Sequence, residues 1–207
     1  MPKKKKKQPS TKKFTPVQRT PKAQPHQDLV DNKVHVFVDD QNLFWGIVNE
    51  RYGGDFRIDF GSLLMVSARS SKGEARGVST AYIAGVIPDD DSFWRTAKSQ
   101  GFKVLRGFLG QGNRSKQDDA FLIAEMVSTV YEQEGPSTLV LVAGDADYGP
   151  ALKKVTEKGW RVEVVHEVTT TGVSSALENY AHEFRAVKAV DFEHARQETF
   201  EWGSRSM

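Results

Sequence analysis

LVLVAGDADYGPALKKVTEKGWRVEVVHEV, residues 139–168, contains the pattern that decides the fold. Its apolar run at 139–143 predicts a buried strand, residues 150–158 predict a helix, and the β-branched run at 161–166 predicts a second strand. A strand, a helix and a strand in succession indicate a parallel βαβ unit with a right-handed crossover. The first strand leads directly into Gly-Asp-Ala-Asp, and these two carboxylates raise the question of function.

The same alternation of strands and helices continues on both sides of this unit. Further strands are expected at 34–38, 78–85, 103–108 and 186–190. Further helices are expected at 43–51, 60–69, 91–100, 118–133 and 174–184, and the polar, glycine-rich segment 109–117 is expected to be a loop. The chain is therefore predicted to be an α/β protein, with a mainly parallel central sheet flanked by helices on both faces.

The composition limits the kinds of protein and site that the chain can form. With 207 residues, of which 38% are hydrophobic, it is long enough for one sizeable domain and hardly for two. It has no cysteine, so disulfides and thiolate metal sites are excluded, and a metal ion would be held by oxygen or histidine. No apolar run is long enough to span a bilayer and the N-terminus lacks a secretory signal, so we expect a cytoplasmic protein without membrane contact.

A basic arm precedes the predicted domain. Residues 1–27 carry nine lysines and arginines and no acidic residue, which leaves the remainder of the chain with a net charge of −7. We assign 1–32 to a disordered arm, 33–190 to the domain and 191–207 to a C-terminal extension. The arm predicts an electrostatic contact with nucleic acid. A solubilising tail or, in a eukaryote, a nuclear localisation signal is the alternative.

Acidic side chains follow two of the predicted strands. The strand at 34–38 leads into DDQN (39–42), and the strand at 139–143 leads into GDAD (144–147). The carboxyl ends of parallel strands meet at one edge of the sheet, where open α/β sheets bind their ligands. Clustered carboxylates repel one another, and a divalent cation such as Mg²⁺ or Mn²⁺ removes that cost. The two strand ends therefore suggest a metal site.

A purely structural explanation of the same residues has to be weighed. Asp and Asn are common after strands because they cap helices and form turns. Asn42 would be the N-cap of a helix that begins at Leu43, and Asp147 a turn residue before Pro150. For either strand alone this explanation is the simpler one, and two such endings in one small sheet give the metal site equal weight.

The long helix predicted at 118–133 adds a third acidic position. At about 100° per residue, Asp119 shares a face with the apolar residues Ile123 and Val130. An acid that points towards the sheet needs a partner, and a metal ion or a polar cluster would supply one. Asp118 falls away from that face, where it would cap the helix in contact with solvent. We therefore predict that Asp119, rather than Asp118, belongs to the site.

Four motifs, in this order, resemble those of the NYN domains, including the LabA-like proteins, in the PIN-like nuclease superfamily. FVDDQNLFWGI (37–47) is similar to the opening Asp-x-x-Asn-Leu-aromatic motif, and SKQDDAFLIAEMV (115–127) to the Lys-Gly-x-Asp helix start. Residues 139–165 resemble a family pattern in which an apolar strand is followed by Ser-Gly-Asp-x-Asp-Phe and x-Pro-Leu. A helix, a Gly and a second apolar strand complete this pattern. SSALENYAHEFRAV (174–187) resembles the closing segment. The resemblance covers residues 33–190 and implies a three-layer PIN-like, Rossmann-like fold.

The resemblance also implies a set of four metal-binding aspartates. These fall on Asp39, Asp119, Asp145 and Asp147, which would be the metal ligands and the catalytic residues. Ala143 stands where the family often has Ser or Thr, Gln117 follows Lys116 in place of Gly, and His182 stands in place of Asp. None of these departures removes one of the four acids.

The activity that the resemblance implies is metal-dependent hydrolysis of phosphodiester bonds, most often in RNA. Mg²⁺ or Mn²⁺ held by the carboxylates would activate water and stabilise the leaving oxygen. Asn42 would orient a ligand or touch a phosphate. Lys116, Arg114 and Arg106 would neutralise the RNA backbone, although a solvated loop also explains Arg106 and Arg114. The aromatic residues Phe44, Trp45 and Tyr148 flank the motifs, where they would either stack on bases or pack in the core, and the core is the simpler explanation for Phe44.

Three alternatives belong to other classes of protein. A receiver domain needs an Asp after a later strand of its fold, and the predicted strand at 78–85 ends without one. A haloacid-dehalogenase-type phosphatase needs Asp at the position of Gln41. The third is a catalytically silent PIN-like module that binds RNA or recruits a protein, and metal-dependent cleavage would distinguish it from a nuclease. The sequence leaves open whether the chain forms a homo-oligomer.

Overall fold

The computed structural model describes residues 33–47, 56–86, 92–109, 115–116, 118–168 and 173–194. The predicted basic arm and the last residues of the C-terminal extension lie outside this part of the chain, so those assignments stay predictions. Arg114 and most of the predicted loop also lie outside it. For Lys116 the structure gives the backbone in a short strand and nothing of the side chain.

Seven strands in this part of the chain form one sheet, in the order β4-β3-β2-β1-β5-β6-β7. The strands are β1 (Lys33–Asp39), β2 (Gly77–Val86), β3 (Lys103–Leu109), β4 (Ser115–Lys116), β5 (Thr138–Val142), β6 (Arg161–Glu167) and β7 (Glu183–Val187). All neighbours pair in parallel except β3 and β4, which pair antiparallel at one edge. The predicted α/β fold with a mainly parallel sheet is confirmed.

Helices cover both faces of the sheet. They are α1 (Asp40–Ile47), α2 (Phe60–Ala68), α3 (Ser92–Ser99), α4 (Asp118–Glu132) and α5 (Gly149–Glu157), with 3₁₀ turns at Ala146–Tyr148, Ser175–Asn179 and Ala189–Asp191. One apolar cluster lies between the sheet and α1, α2 and α3, and a second lies between the sheet and α4 and α5. None of the helices in the described ranges has the length and apolar character to cross a membrane.

The central strands explain why the sequence shows continuous apolar runs. In β1, Val36 and Val38 pack into the first cluster and Phe37 packs into the second. In β5, Val140 and Leu141 divide between the clusters in the same way. A strand buried on both faces has no solvent side, so its apolar run is uninterrupted. β1 and β5 are neighbours, and their carboxyl ends therefore lie side by side.

Two predicted segments differ in the structure. The helix predicted at 174–184 is wrong, because this segment forms a 3₁₀ turn and then enters strand β7 at Glu183. Leu177 and Ala181 are both buried in the second cluster, and their spacing of four imitates a helical face. The segment 109–117, predicted to be a loop, contains β4, whose pairing with β3 satisfies backbone groups at the edge of the sheet.

Candidate metal-binding and catalytic site

Asp39, the last residue of β1, has different partners for its two carboxylate oxygens. Oδ1 accepts a hydrogen bond of 3.0 Å from the backbone N–H of Asn42, so Asp39 caps helix α1. Oδ2 accepts a hydrogen bond of 3.0 Å from the hydroxyl of Tyr148. The structural alternative in which Asn42 caps a helix beginning at Leu43 is therefore wrong, because α1 begins at Asp40 and Asp39 is its cap.

Tyr148 connects Asp39 to the acidic start of helix α4. Its hydroxyl also lies 3.4 Å from Oδ1 of Asp119. Burial, followed by the charges of Asp39 and Asp119, raises the pKa of Tyr148, so the phenol keeps its proton and donates it in hydrogen bonds. The side chain is fully buried. Of the two roles left open for Tyr148, the structure shows the core position, and a base cannot reach its ring.

Asn42 ties the carboxyl ends of β1 and β5 together. Its side-chain oxygen accepts a hydrogen bond of 2.9 Å from the backbone N–H of Gly144, which is buried just beyond β5. Gly144 directly precedes Asp145, so this bond fixes the point from which Asp145 leaves the sheet. Asn42 is thus a positioning residue, and its contact with a ligand stays a prediction.

The carboxylates around the carboxyl ends of β1 and β5 are called the acidic rim here. Asp145 and Asp147 form its exposed side. Oδ1 of Asp145 accepts a hydrogen bond of 3.0 Å from the backbone N–H of Asp147, which starts the 3₁₀ turn at Ala146–Tyr148. Both side chains are exposed. Their negative charges act on Asp119 and help to raise its pKa. The structure therefore places all four aspartates of the predicted set around the carboxyl ends of β1 and β5.

Asp39 and Asp119 hold their protons more tightly than usual, because the pKa of each is raised. The pKa of Asp39 is raised to about 7, because burial and, to a smaller extent, the charge of Asp119 outweigh the opposing hydrogen bond from the backbone of Asn42. Burial also raises the pKa of Asp119, and the charge of Asp118 comes next. The folded chain thus keeps like charges close together at a cost that a bound cation would remove.

Two further carboxyl groups belong to the rim. Asp40 is 6% exposed and Asp118 is 4% exposed. The prediction that Asp118 faces solvent is wrong, because α4 buries the face of Leu122 and Met126, and Asp118 lies one turn before Leu122 on that face. The pKa of Asp40 is raised to about 7, mainly by burial and then by the charges of Asp39 and Asp118.

The predicted basic contacts differ in where they lie. Val104 packs against the first apolar cluster and Leu105 against the second, so Arg106 lies on the face of β3 that carries α1, α2 and α3. Asp39 lies on the other face, with Phe37. Arg106 is exposed and is the register partner of Gly85 in β2, so it lies on the face of the sheet opposite to Asp39. The roles of Lys116 and Arg114 stay predictions.

The residues of the rim fit a divalent cation by their chemistry. They supply oxygen ligands, and the charges that raise the pKa values of Asp39 and Asp119 are all negative. Within the described ranges, no three acidic or histidine side chains already form a metal-binding group. The Tyr148 hydroxyl contacts both Asp39 and Asp119, so binding of an ion would require side chains of the rim to reorient.

Comparisons with known proteins identify the family of this fold. Among solved structures, a protein of unknown function from Vibrio parahaemolyticus matches with a TM-score of 0.62 and 19% identity, over 81% of this chain and 99% of that chain. At this identity the match shows the fold alone. The comparison with curated proteins found no match. The NYN domain model matches residues 33–188, which contain every element of the sheet and the whole acidic rim. The chain therefore belongs to the NYN domain family, within the PIN-like nuclease superfamily.

Proposed function

We propose that this chain is a divalent-metal-dependent ribonuclease. NYN domains are generally nucleases, and the family match makes an enzyme the expected function of this chain. The observation that supports the proposal best is the contact of one hydroxyl, that of Tyr148, with both Asp39 and Asp119. It gathers carboxylates from β1 and α4 at the edge where Asp145 and Asp147 are exposed.

Each carboxylate of the rim would have a definite part in this activity. Asp39 and Asp119, which are partly or fully buried, would hold a Mg²⁺ or Mn²⁺ ion from the protein side. The exposed Asp145 and Asp147 would complete the ligand set on the side open to RNA. The ion would supply Lewis-acid activation of water and charge neutralisation at the scissile phosphate. Asn42 and Tyr148 would hold the carboxylates in place.

The charge distribution indicates how a polyanion would be retained. Outside residues 1–27 the chain has a net charge of −7, so most of its surface does not favour RNA. The nine basic residues of the arm offset this repulsion and would bind phosphates without regard to sequence. Lys116 and Arg114 precede α4 in the chain and would add contacts near Asp119. Arg106 would contact RNA only along the other face of the sheet.

The nuclease activity is tested by cleavage of end-labelled RNA, single-stranded and structured, in Mn²⁺, Mg²⁺ or EDTA. We expect products in Mn²⁺ or Mg²⁺ and none in EDTA. Asp145→Asn should abolish cleavage, and Asp191→Asn, the same change at an exposed acid in the 3₁₀ turn that follows β7, should not. Cleavage that persists in EDTA, or that survives Asp145→Asn, would refute the proposal.

The contribution of the arm is tested by deleting residues 1–27. The shortened chain should retain its fold and bind RNA more weakly, with a smaller dependence of affinity on salt, because fewer counterions are released. Fluorescence anisotropy with labelled RNA in EDTA measures binding without cleavage. An unchanged salt slope would show that the arm does not contact RNA.

One observation favours the silent module as the second candidate. The Tyr148 hydroxyl donates to Asp39, so part of the carboxylate set is already satisfied without an ion. A chain of this kind would bind RNA, or recruit a protein, through its surface alone. RNA binding that is equal in Mn²⁺ and EDTA, with no products after prolonged incubation, would support this candidate and exclude the nuclease.

A further inference from the structure

The hydroxyl of Tyr148 contacts carboxylates from two different elements. It donates a hydrogen bond of 3.0 Å to Oδ2 of Asp39, at the end of β1, and lies 3.4 Å from Oδ1 of Asp119, in the first turn of α4. A phenol has a single proton to donate, so the two carboxylates share one donor. Both acids are among those that the proposed function assigns to the ion.

Asp39 offers little surface to a further ligand beside the donors that it already has. Its Oδ1 accepts from the N–H of Asn42 and its Oδ2 from Tyr148, and the residue is 4% exposed. An ion that binds Asp39 therefore has to take the place of one of these hydrogen bonds. The bond from Asn42 caps α1, and its loss would destabilise the helix. The bond from Tyr148 is the one that an ion would replace.

The ring of Tyr148 is held more firmly than the side chain of Asp119. Tyr148 is fully buried in the second apolar cluster, and α5 begins at the next residue, Gly149, with Pro150 in its first turn. Asp119 is half-buried, and its contact of 3.4 Å with the hydroxyl is long for an O–H···O hydrogen bond. The hydroxyl therefore keeps its place, and the aspartate side chains are the groups that have to move.

We propose that the Tyr148 hydroxyl competes with a divalent cation for Asp39 and Asp119, and so lowers the affinity of this chain for the ion. The inference rests on the proposed function for the ion and its ligands. Hydrogen bonds to charged groups are stronger than those between neutral groups, so replacing this one weakens ion binding by roughly 10-fold. The related pattern has Phe at the position of Tyr148, so the competing hydroxyl is a property of this chain and not of the motif.

The affinity for Mn²⁺ in the absence of RNA tests this inference. We would titrate the full chain with Mn²⁺ at neutral pH by isothermal titration calorimetry. Tyr148→Phe, which removes only the hydroxyl, should bind Mn²⁺ about 10-fold more tightly than the wild type. Tyr148→Leu lacks the same donor and takes its place if Tyr148→Phe fails to fold. The matched control is Tyr82→Phe, which removes the hydroxyl of another buried ring, in contact with Lys103, and should leave the affinity unchanged.

The melting temperature distinguishes competition from support of the metal ligands. Because linkage is reciprocal, an ion that displaces the hydrogen bond also removes the contribution of this bond to stability. The deficit in melting temperature of Tyr148→Phe relative to the wild type, measured in EDTA, should therefore shrink in saturating Mn²⁺. A hydroxyl that supports the metal ligands would make the deficit larger in Mn²⁺, and that result would overturn the inference.

The outcomes of the titration separate this inference from the nuclease activity. Equal or weaker binding of Mn²⁺ by Tyr148→Phe would overturn the competition, and the nuclease would stand if the wild type cleaves RNA. Binding by Tyr148→Phe and none by the wild type would support the competition and refute a metal-dependent activity of the wild type. No binding by either protein would refute both.

Discussion

The hydroxyl of Tyr148 donates a hydrogen bond of 3.0 Å to Oδ2 of Asp39, and the two residues are 109 positions apart in the chain. This bond links the turn after β5 to the end of β1 inside the protein. The related pattern has Phe at the position of Tyr148, so the hydroxyl is a feature of this chain that the family motif does not require. It gives Asp39 a partner and fixes the direction in which the carboxylate points.

Replacement of Tyr148 by Phe should destabilise the chain, because Asp39 loses its buried hydrogen bond. Hydrogen bonds to charged groups contribute roughly 1.5–3 kcal/mol, and we expect a loss of free energy of unfolding in this range. Urea unfolding at neutral pH measures it. The control is Tyr131→Phe, which removes a hydroxyl from an exposed ring on α4 and should have little effect. Equal stability of the two variants would contradict the structural role of the hydrogen bond.

Replacement of Asn42 by Ala should affect stability and activity together. It removes the acceptor for the buried N–H of Gly144, and an unsatisfied buried group costs about 1–3 kcal/mol. It also frees the backbone of Gly144, which directly precedes Asp145. Cleavage should therefore fall by roughly 10–100-fold, as is typical when support of a metal ligand is lost. The control is Asn179→Ala, whose exposed amide donates to the carbonyl of Ala176. Full activity in Asn42→Ala would show that Asn42 does not position the site.

The contribution of Asp39 to the stability of the metal-free chain should be lost as the pH rises from about 4 to about 7. The pKa of Asp39 is raised to about 7 in the folded chain from 3.8, so the folded chain binds this proton more tightly than the unfolded chain. The resulting stabilisation is complete below the unfolded pKa and is lost as the pH rises through 7. Unfolding in EDTA should show a smaller decrease for Asp39→Asn than for the wild type, by ~1 kcal/mol or more. A parallel pH dependence of the two proteins would contradict the raised pKa.

A separate network on β6 should control stability in acid. Glu163 is 1% exposed and accepts hydrogen bonds of 3.0 and 2.7 Å from Arg76 and of 3.0 Å from Arg161. Burial by itself raises the pKa of Glu163, and the hydrogen bonds from the two arginines outweigh it and lower the pKa. Its contribution is therefore present at neutral pH and lost as the pH falls into the acid range.

Glu163→Gln should therefore cost about 3 kcal/mol at neutral pH, because it leaves the partly buried guanidinium groups of Arg76 and Arg161 without the charge of this buried partner. The difference from the wild type should shrink in acid, where Glu163 itself is protonated. Urea unfolding at both pH values measures this. The control is Glu157→Gln, which removes an exposed partner of Lys154 and should leave the free energy of unfolding unchanged. A Glu163→Gln variant as stable as the control would contradict the network.

The sequence predicts the architecture well where burial is the same on both faces of an element. The apolar runs of β1 and β5 could only be central strands, and the Asp and Asn residues after them had to meet at one edge. The same argument fails at the edge of the sheet. Between 174 and 184, two buried residues at helical spacing belong to a turn and an extended segment, and local spacing cannot distinguish these from a helix.

The candidate site is predictable in part for a related reason. Asp39 and Asp145 come directly after strands, so their location follows from the topology. Asp118, Asp40 and the Tyr148 hydroxyl depend on how helices and turns pack against the end of the sheet, which the sequence does not specify. The position of Asp118 one turn before Leu122 is the signal that the sequence offers for this residue, because residues four apart lie on the same face of a helix.

The most direct test of the acidic rim is the single-turnover rate of RNA cleavage by Asp39→Asn in saturating Mn²⁺. Asn retains an oxygen that can accept the hydrogen bond from the N–H of Asn42, so the cap of α1 is preserved while the charge is lost. We expect a rate lower than that of the wild type by roughly 100-fold or more, since even partners that only support metal ligands contribute about 10–100-fold. Cleavage by Asp39→Asn at the wild-type rate would contradict the account, because the carboxylate at the centre of the rim would then have no part in the chemistry.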